Sequence, residues 1–143
     1  MPHLTTRHAP RLIYLLTTAQ RRLEAWIERE TEGMTAARIG LLLALPAEGG
    51  VSMSALARAL DLGAPALTGL VDRMSKAGLV RRIPDPEDGR SSLVELLNEG
   101  RVQRQQALER TRRLNDQLCE GFSDAEIAVV ARWLDNVRVR YGA

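Results

Sequence analysis

Residues 56–101 read LARALDLGAPALTGLVDRMSKAGLVRRIPDPEDGRSSLVELLNEGR, and the order of apolar positions and chain breakers in this stretch decides the fold. Leu56, Ala57 and Leu60 belong to a short helix that Ser52, just upstream, is placed to cap. Asp61-Leu62-Gly63 is a tight break. Ala64-Pro65 then opens a second helix, with the proline in the first turn, where a missing N–H costs nothing. Leu67, Leu70, Val71 and Met74 fall on one face of that helix, and Gly78 follows it as a C′ glycine. Residues 79–84 and 91–97 read as two strands around Asp85-Pro86-Glu87-Asp88-Gly89-Arg90, a turn dense in breakers. A short helix, a sharp turn, a second helix and a hairpin make a winged helix-turn-helix.

Working outward, Leu12, Leu16, Ala19, Leu23 and Trp26 recur at alternating spacings of four and three, a heptad-like stripe on a first helix that Gly33 ends. Thr35 caps a second helix in which Ile39, Leu42, Leu43 and Leu45 leave no polar face, so it should be buried. Pro46 stops it, and Gly49-Gly50 marks a turn. Beyond the hairpin, Asn98 is expected to cap a long helix over residues 99–121, rich in Arg, Gln and Glu, with Val102, Leu108, Leu114 and Leu118 as sparse apolar positions. Ser123 and Glu126 form a capping box for a last helix striped by Ile127, Val130, Leu134, Val137 and Tyr141. The expected fold is mainly α with a small β-hairpin wing, in the order α-α-α-α-β-β-α-α.

The chain has 143 residues, 45% hydrophobic and only 3% aromatic, so aliphatic side chains must fill the core of one domain. The formal charge is +2, and Lys76 is the only lysine among many arginines, the side chain better suited to bidentate phosphate and guanine contacts. Between Ser54 and Glu95 the six basic residues, Arg58, Arg73, Lys76, Arg81, Arg82 and Arg90, are matched by six acids, Asp61, Asp72, Asp85, Glu87, Asp88 and Glu95. The lobe sums to zero, and DNA binding there must depend on where charges stand rather than on bulk charge.

A single cysteine, Cys119, excludes an internal disulfide framework and reads as a buried structural thiol. Residues 1–10 form a polar, Pro-bounded arm without the apolar core of a signal peptide, and the longest apolar run, residues 39–47, is too short to span a bilayer. A cytoplasmic protein without a membrane partner is expected. His3 and His8 lie in the arm with no Cys or acid at metal spacing, so no metal or other cofactor is implied. No phosphate loop, GxSxG elbow or HExxH motif is present, and the chain does not read as an enzyme.

The residues that carry the winged motif also resemble a known family. Leu56-Ala57, the run from Pro65 to Arg73, Gly78-Leu79-Val80-Arg81-Arg82 and, most specifically, Asp85-Pro86-Glu87-Asp88-Gly89-Arg90-Ser91 followed by Val94, Leu96 and Gly100 are similar to the MarR (multiple-antibiotic-resistance regulator) family of bacterial transcriptional regulators. The resemblance implies a single domain over residues 1–143. Its winged lobe would span residues 35–97, and residues 9–32 and 98–143 would supply dimerisation helices. It also implies a homodimer that binds double-stranded DNA at a pseudo-palindromic operator, as a repressor released by a small aromatic or phenolic effector. DNA contacts would fall to Ala64, Pro65, Thr68, Gly69, Arg73, Arg90 and Ser91, with Asp88 orienting the wing arginine. Gly69 stands where many members carry a polar or basic side chain, which takes away one base contact. By position, Trp26, Arg38 and Leu42 are candidates for an effector crevice. The alternative is a winged-helix module that binds proteins without specific DNA binding, favoured by the neutral lobe and Gly69.

Overall fold

The computed structural model describes residues 11–142; the arm with His3 and His8 lies outside them. The elements run α1 (Arg11–Glu30), α2 (Ala36–Ala44), β1 (Gly50–Ser52), α3 (Met53–Leu60), α4 (Ala64–Lys76), β2 (Val80–Pro84), β3 (Ser92–Leu96), α5 (Asn98–Leu118) and α6 (Asp124–Tyr141). The helix starts follow local chemistry. The side chains of Thr35 and Ser52 accept from the N–H groups of Arg38 and Ala55, and Ser123 and Glu126 exchange both bonds of a capping box. Those bonds from Ser123 hold the exposed Glu126 carboxyl below its ordinary pKa.

Two expectations need correction. The wing hairpin of β2 and β3 is present, but a third strand joins it. Residues 50–52, read as a turn, form β1 and pair antiparallel with β3, so the sheet has the order β1-β3-β2, with Val51 opposite Val94 and Arg82 opposite Val94 from the other side. Three residues headed by glycine show no alternation; they become a strand because β3 offers an open edge. Nor does Asn98 cap α5. Leu97 occupies the N-cap with no side-chain cap bond, and Asn98 Oδ1 instead accepts from the Arg101 guanidinium one turn on.

The core sits inside the winged lobe. Leu41, Leu42, Leu45, Leu56, Leu67, Val71, Met74, Leu79, Val80 and Val94 are fully or almost fully buried. The polar face of α5 is fastened to it by arginines. Arg104 Nε donates to the Leu45 carbonyl at the end of α2 (2.8 Å), Arg110 Nη1 to the Thr31 carbonyl (3.0 Å), and Arg101 Nη1 to the Leu96 carbonyl (3.0 Å). The accepting carbonyls lie at or just beyond the ends of α2, α1 and β3, where charge-assisted donors are well placed.

Gly100 is the tightest backbone approach in the lobe. Leu97 N–H donates to the Leu79 carbonyl at 2.9 Å, and a Cβ on residue 100 would stand 2.0 Å from that same oxygen. Since the obstacle is backbone, Gly100→Ala is expected to destabilise the protein by about 3 kcal/mol or more, measured by urea denaturation. A loss below about 1 kcal/mol would mean that α5 slides on the sheet.

α1 and α6 differ from the rest. Neither contains a fully buried residue, although both carry apolar stripes. Leu12, Leu16, Val130, Leu134 and Tyr141 are all exposed.

Candidate nucleic-acid interface and effector crevice

α4 turns its buried stripe, Leu67, Leu70, Val71 and Met74, to the core, leaving Ala64, Pro65 and Arg73 exposed and Thr68 and Gly69 half-buried on the outer side. Gly63 caps the helix without a side-chain bond, and Pro65 lies in its first turn. The remaining N–H groups of that turn are therefore available to an anion such as a phosphate. Gly69 has a partner that its sequence position did not reveal. A Cβ there would lie 3.3 Å from Arg73 Nη1, so the guanidinium of Arg73 folds back one turn over the glycine. The missing side chain at 69 leaves room for a cation.

The wing tip is organised by its acids. Asp85 Oδ1 accepts from Glu87 N–H (2.9 Å), and Asp88 accepts from Arg90 N–H (3.1 Å) and from the Ser91 hydroxyl (3.1 Å). Ser91 N–H donates to the Asp88 carbonyl, and Asp85 N–H to the Ser91 carbonyl, closing the loop. Asp88 thus holds Arg90 through its backbone and not through its guanidinium. The Ser91 hydroxyl, committed to Asp88, has only its lone pairs left for another contact.

Among the described residues one ion pair forms within the lobe. Arg81 is paired with Glu95 across β2 and β3, whereas no salt bridge among the described residues engages Arg58, Arg73, Lys76, Arg82 or Arg90. The carboxylates of Asp85 and Asp88 accept from wing N–H groups, while Asp61, Asp72 and Glu87 are exposed and as free of ion pairs as those cations.

The three crevice candidates separate. Trp26 lines an apolar crevice of about 220 Å³ between α1, α2 and α5, together with Leu23, Ile39, Leu114, Asn115 and Leu118. Arg38 lines a different, polar cleft. Leu42 is fully buried in the core, on the inward face of α2, and lines neither of these two spaces. The α5 residues were missed because their spacing relative to α2 is set by tertiary packing; Leu114 and Leu118 were visible only as sparse apolar positions.

A larger apolar groove of about 530 Å³ runs between α1, α5 and α6, with Leu16, Phe122, Val130, Trp133 and Leu134 on its walls. Cys119 lies there, half-buried at the C-cap of α5 rather than enclosed in the helix as a buried thiol.

The MarR family model matches residues 32–91, the stretch from the α1–α2 turn through the wing tip. The matched stretch, which holds the winged lobe up to the wing tip, is similar to the MarR family. The HTH-type transcriptional regulator YsmB of Bacillus subtilis is 33% identical over 86 residues, which is 60% of this chain and 59% of that protein. With a second curated relative matched over 43% of its length, the chain aligns to about half of the curated relatives it matches. Among solved structures, the PcaV transcriptional regulator from Streptomyces coelicolor in complex with its natural ligand superposes with a TM-score of 0.82 at 25% identity, covering 91% of this chain and 93% of PcaV. The transcriptional repressor CouR bound to a 23-mer DNA duplex superposes with a TM-score of 0.78 at 26% identity, covering 88% of this chain and 91% of CouR.

Among the described residues no helix is long and apolar enough to cross a membrane, and no cluster of His, Cys, Asp and Glu could hold a metal ion.

Proposed function

We propose that this protein is a homodimeric, sequence-specific DNA-binding regulator of transcription in the cytoplasm, a repressor whose hold on DNA is released by a small aromatic effector. The observation that carries the reading is the pairing of α4, whose outer face presents Arg73 and free N–H groups, with a wing whose tip is ordered by Asp85 and Asp88 and whose Arg90 is exposed and, among the described residues, outside any salt bridge. A helix of that kind fits the major groove, where base edges are readable, and an arginine-tipped hairpin fits the adjacent minor groove, whose negative potential attracts it. Ala64, Pro65, Thr68 and Ser91 would border the phosphates, and Arg73, with Gly69 beneath it, would reach base edges. CouR, which shares the fold, is bound to a DNA duplex in its structure.

The reading requires two copies. α1, α5 and α6 would join across the apolar groove and hold two α4 helices in successive major grooves, about 34–36 Å apart. The crevice beside Trp26 lies where α1 and α5 meet the winged lobe through α2. An aromatic guest there would alter the spacing of the lobes, and by linkage DNA and effector would weaken each other equally. PcaV is solved with its natural ligand, which supports a ligand-responsive member of this fold.

The test begins with selection of duplexes from a random pool, followed by anisotropy titration at several salt concentrations. Nanomolar binding to a two-fold-symmetric site, at least about 10³-fold tighter than to random duplex and steeply salt-dependent, is expected. Equal affinity for every duplex, or none at low salt, would leave the protein-binding winged module as the better reading.

A further inference from the structure

We propose that the polar cleft where the α1–α2 turn meets α5 binds a small organic carboxylate, at a site separate from the aromatic crevice. The cleft has a volume of about 190 Å³, and its walls carry Arg38, Arg110, Gln103, Gln106 and Met34, with Glu32 from the turn. Arg110 is already held: Nη1 donates to the Thr31 carbonyl at 3.0 Å, and Nη2 lies 3.5 Å from Glu32 Oε2. Arg38 is not. Its Nε is sealed from solvent with no hydrogen-bond partner, and no salt bridge among the described residues reaches its guanidinium.

A buried donor left unmade is costly, more so on a charged group. The cleft offers no internal remedy. Its one acid is Glu32, whose side chain is 84% exposed and lies toward Arg110. Two guanidiniums against one acid leave the cleft with a net positive charge, and the amide oxygens of Gln103 and Gln106 do not meet Arg38 Nε. A carboxylate supplies two acceptor oxygens and the missing negative charge. Drawn to Arg38, it lets that side chain turn and give Nε–H an acceptor in a two-pronged contact. The N-terminal end of α2, three residues before Arg38, adds a favourable dipole. Met34 gives the cleft an apolar wall, which favours an organic acid over an inorganic anion.

This site does not depend on DNA binding, so its test uses the full chain without DNA. Isovalerate, its neutral isostere isovaleramide and inorganic phosphate are titrated by calorimetry and thermal shift. Isovalerate is expected to bind and raise the melting temperature, and the amide to do neither. Arg38→Met should weaken isovalerate by about tenfold or more, since a charge-assisted bond is lost, without lowering the melting temperature of the free protein, because the orphaned donor goes with it. Trp26→Ala, in the other crevice, should leave isovalerate binding unchanged. Glu32→Gln should strengthen it by removing a competing anion from Arg110. No isovalerate binding, binding that survives Arg38→Met, binding lost with Trp26→Ala, or phosphate bound in preference would each overturn the assignment.

Discussion

Leu134→Asp is expected to yield a monomer whose affinity for its selected DNA site falls by about 10²–10⁴-fold, the range lost when two linked contacts become one. Leu134 is 43% exposed in the isolated chain, next to Trp133 at 38% and Phe122 at 62%, on a groove shared by α1, α5 and α6. Contiguous apolar surface of this kind on a soluble protein marks an interaction site. In the proposed dimer the same surface is closed, and a carboxylate placed there must lose its hydration with no cation to meet it. Sedimentation velocity and anisotropy read the two effects, and circular dichroism checks that the helices persist. A variant that stays dimeric would show that the copies meet elsewhere, and a monomer that binds as tightly as wild type would remove the need for two reading heads.

Arg90→Ala is expected to weaken binding to the same site by about 1–3 kcal/mol per wing, on the order of 10²-fold or more for the two wings of a dimer. Arg90 is exposed and free of ion pairs among the described residues, while its backbone is pinned by Asp88. The side chain thus contributes little to folding, and stability should change by no more than about 0.5 kcal/mol. The two measurements together make the result interpretable: lost affinity at unchanged stability places the arginine on the DNA. Unchanged affinity would take the wing out of the mechanism and leave recognition to α4 alone.

Not all of the neutral lobe's chemistry was visible before folding. Counting charges between Ser54 and Glu95 returns zero and argues against a basic DNA-binding module. The structure turns Asp85 and Asp88 onto wing N–H groups and pairs Glu95 with Arg81, while Arg90 stands exposed at the wing tip and Arg73 on the outer side of α4. Gly69 behaves in a similar way. As a letter it signals a lost contact; in the helix it leaves room for Arg73. In sequence α5 is only rich in Arg, Gln and Glu, yet Arg101, Arg104 and Arg110 donate to carbonyls of segments up to 79 residues away in the chain.

The division between what the letters determine and what folding adds follows the range of the forces involved. Caps, breakers and one-sided apolar stripes act within a turn or two of chain, so Thr35, Ser52, Pro65, Gly78 and the Ser123–Glu126 box set the helix limits without reference to anything distant. The third strand, the cap at Leu97, the full burial of Leu42 and the unpartnered Nε of Arg38 arise from contacts between segments far apart in sequence. No local pattern encodes those contacts, because each depends on where a partner comes to rest once the core has closed.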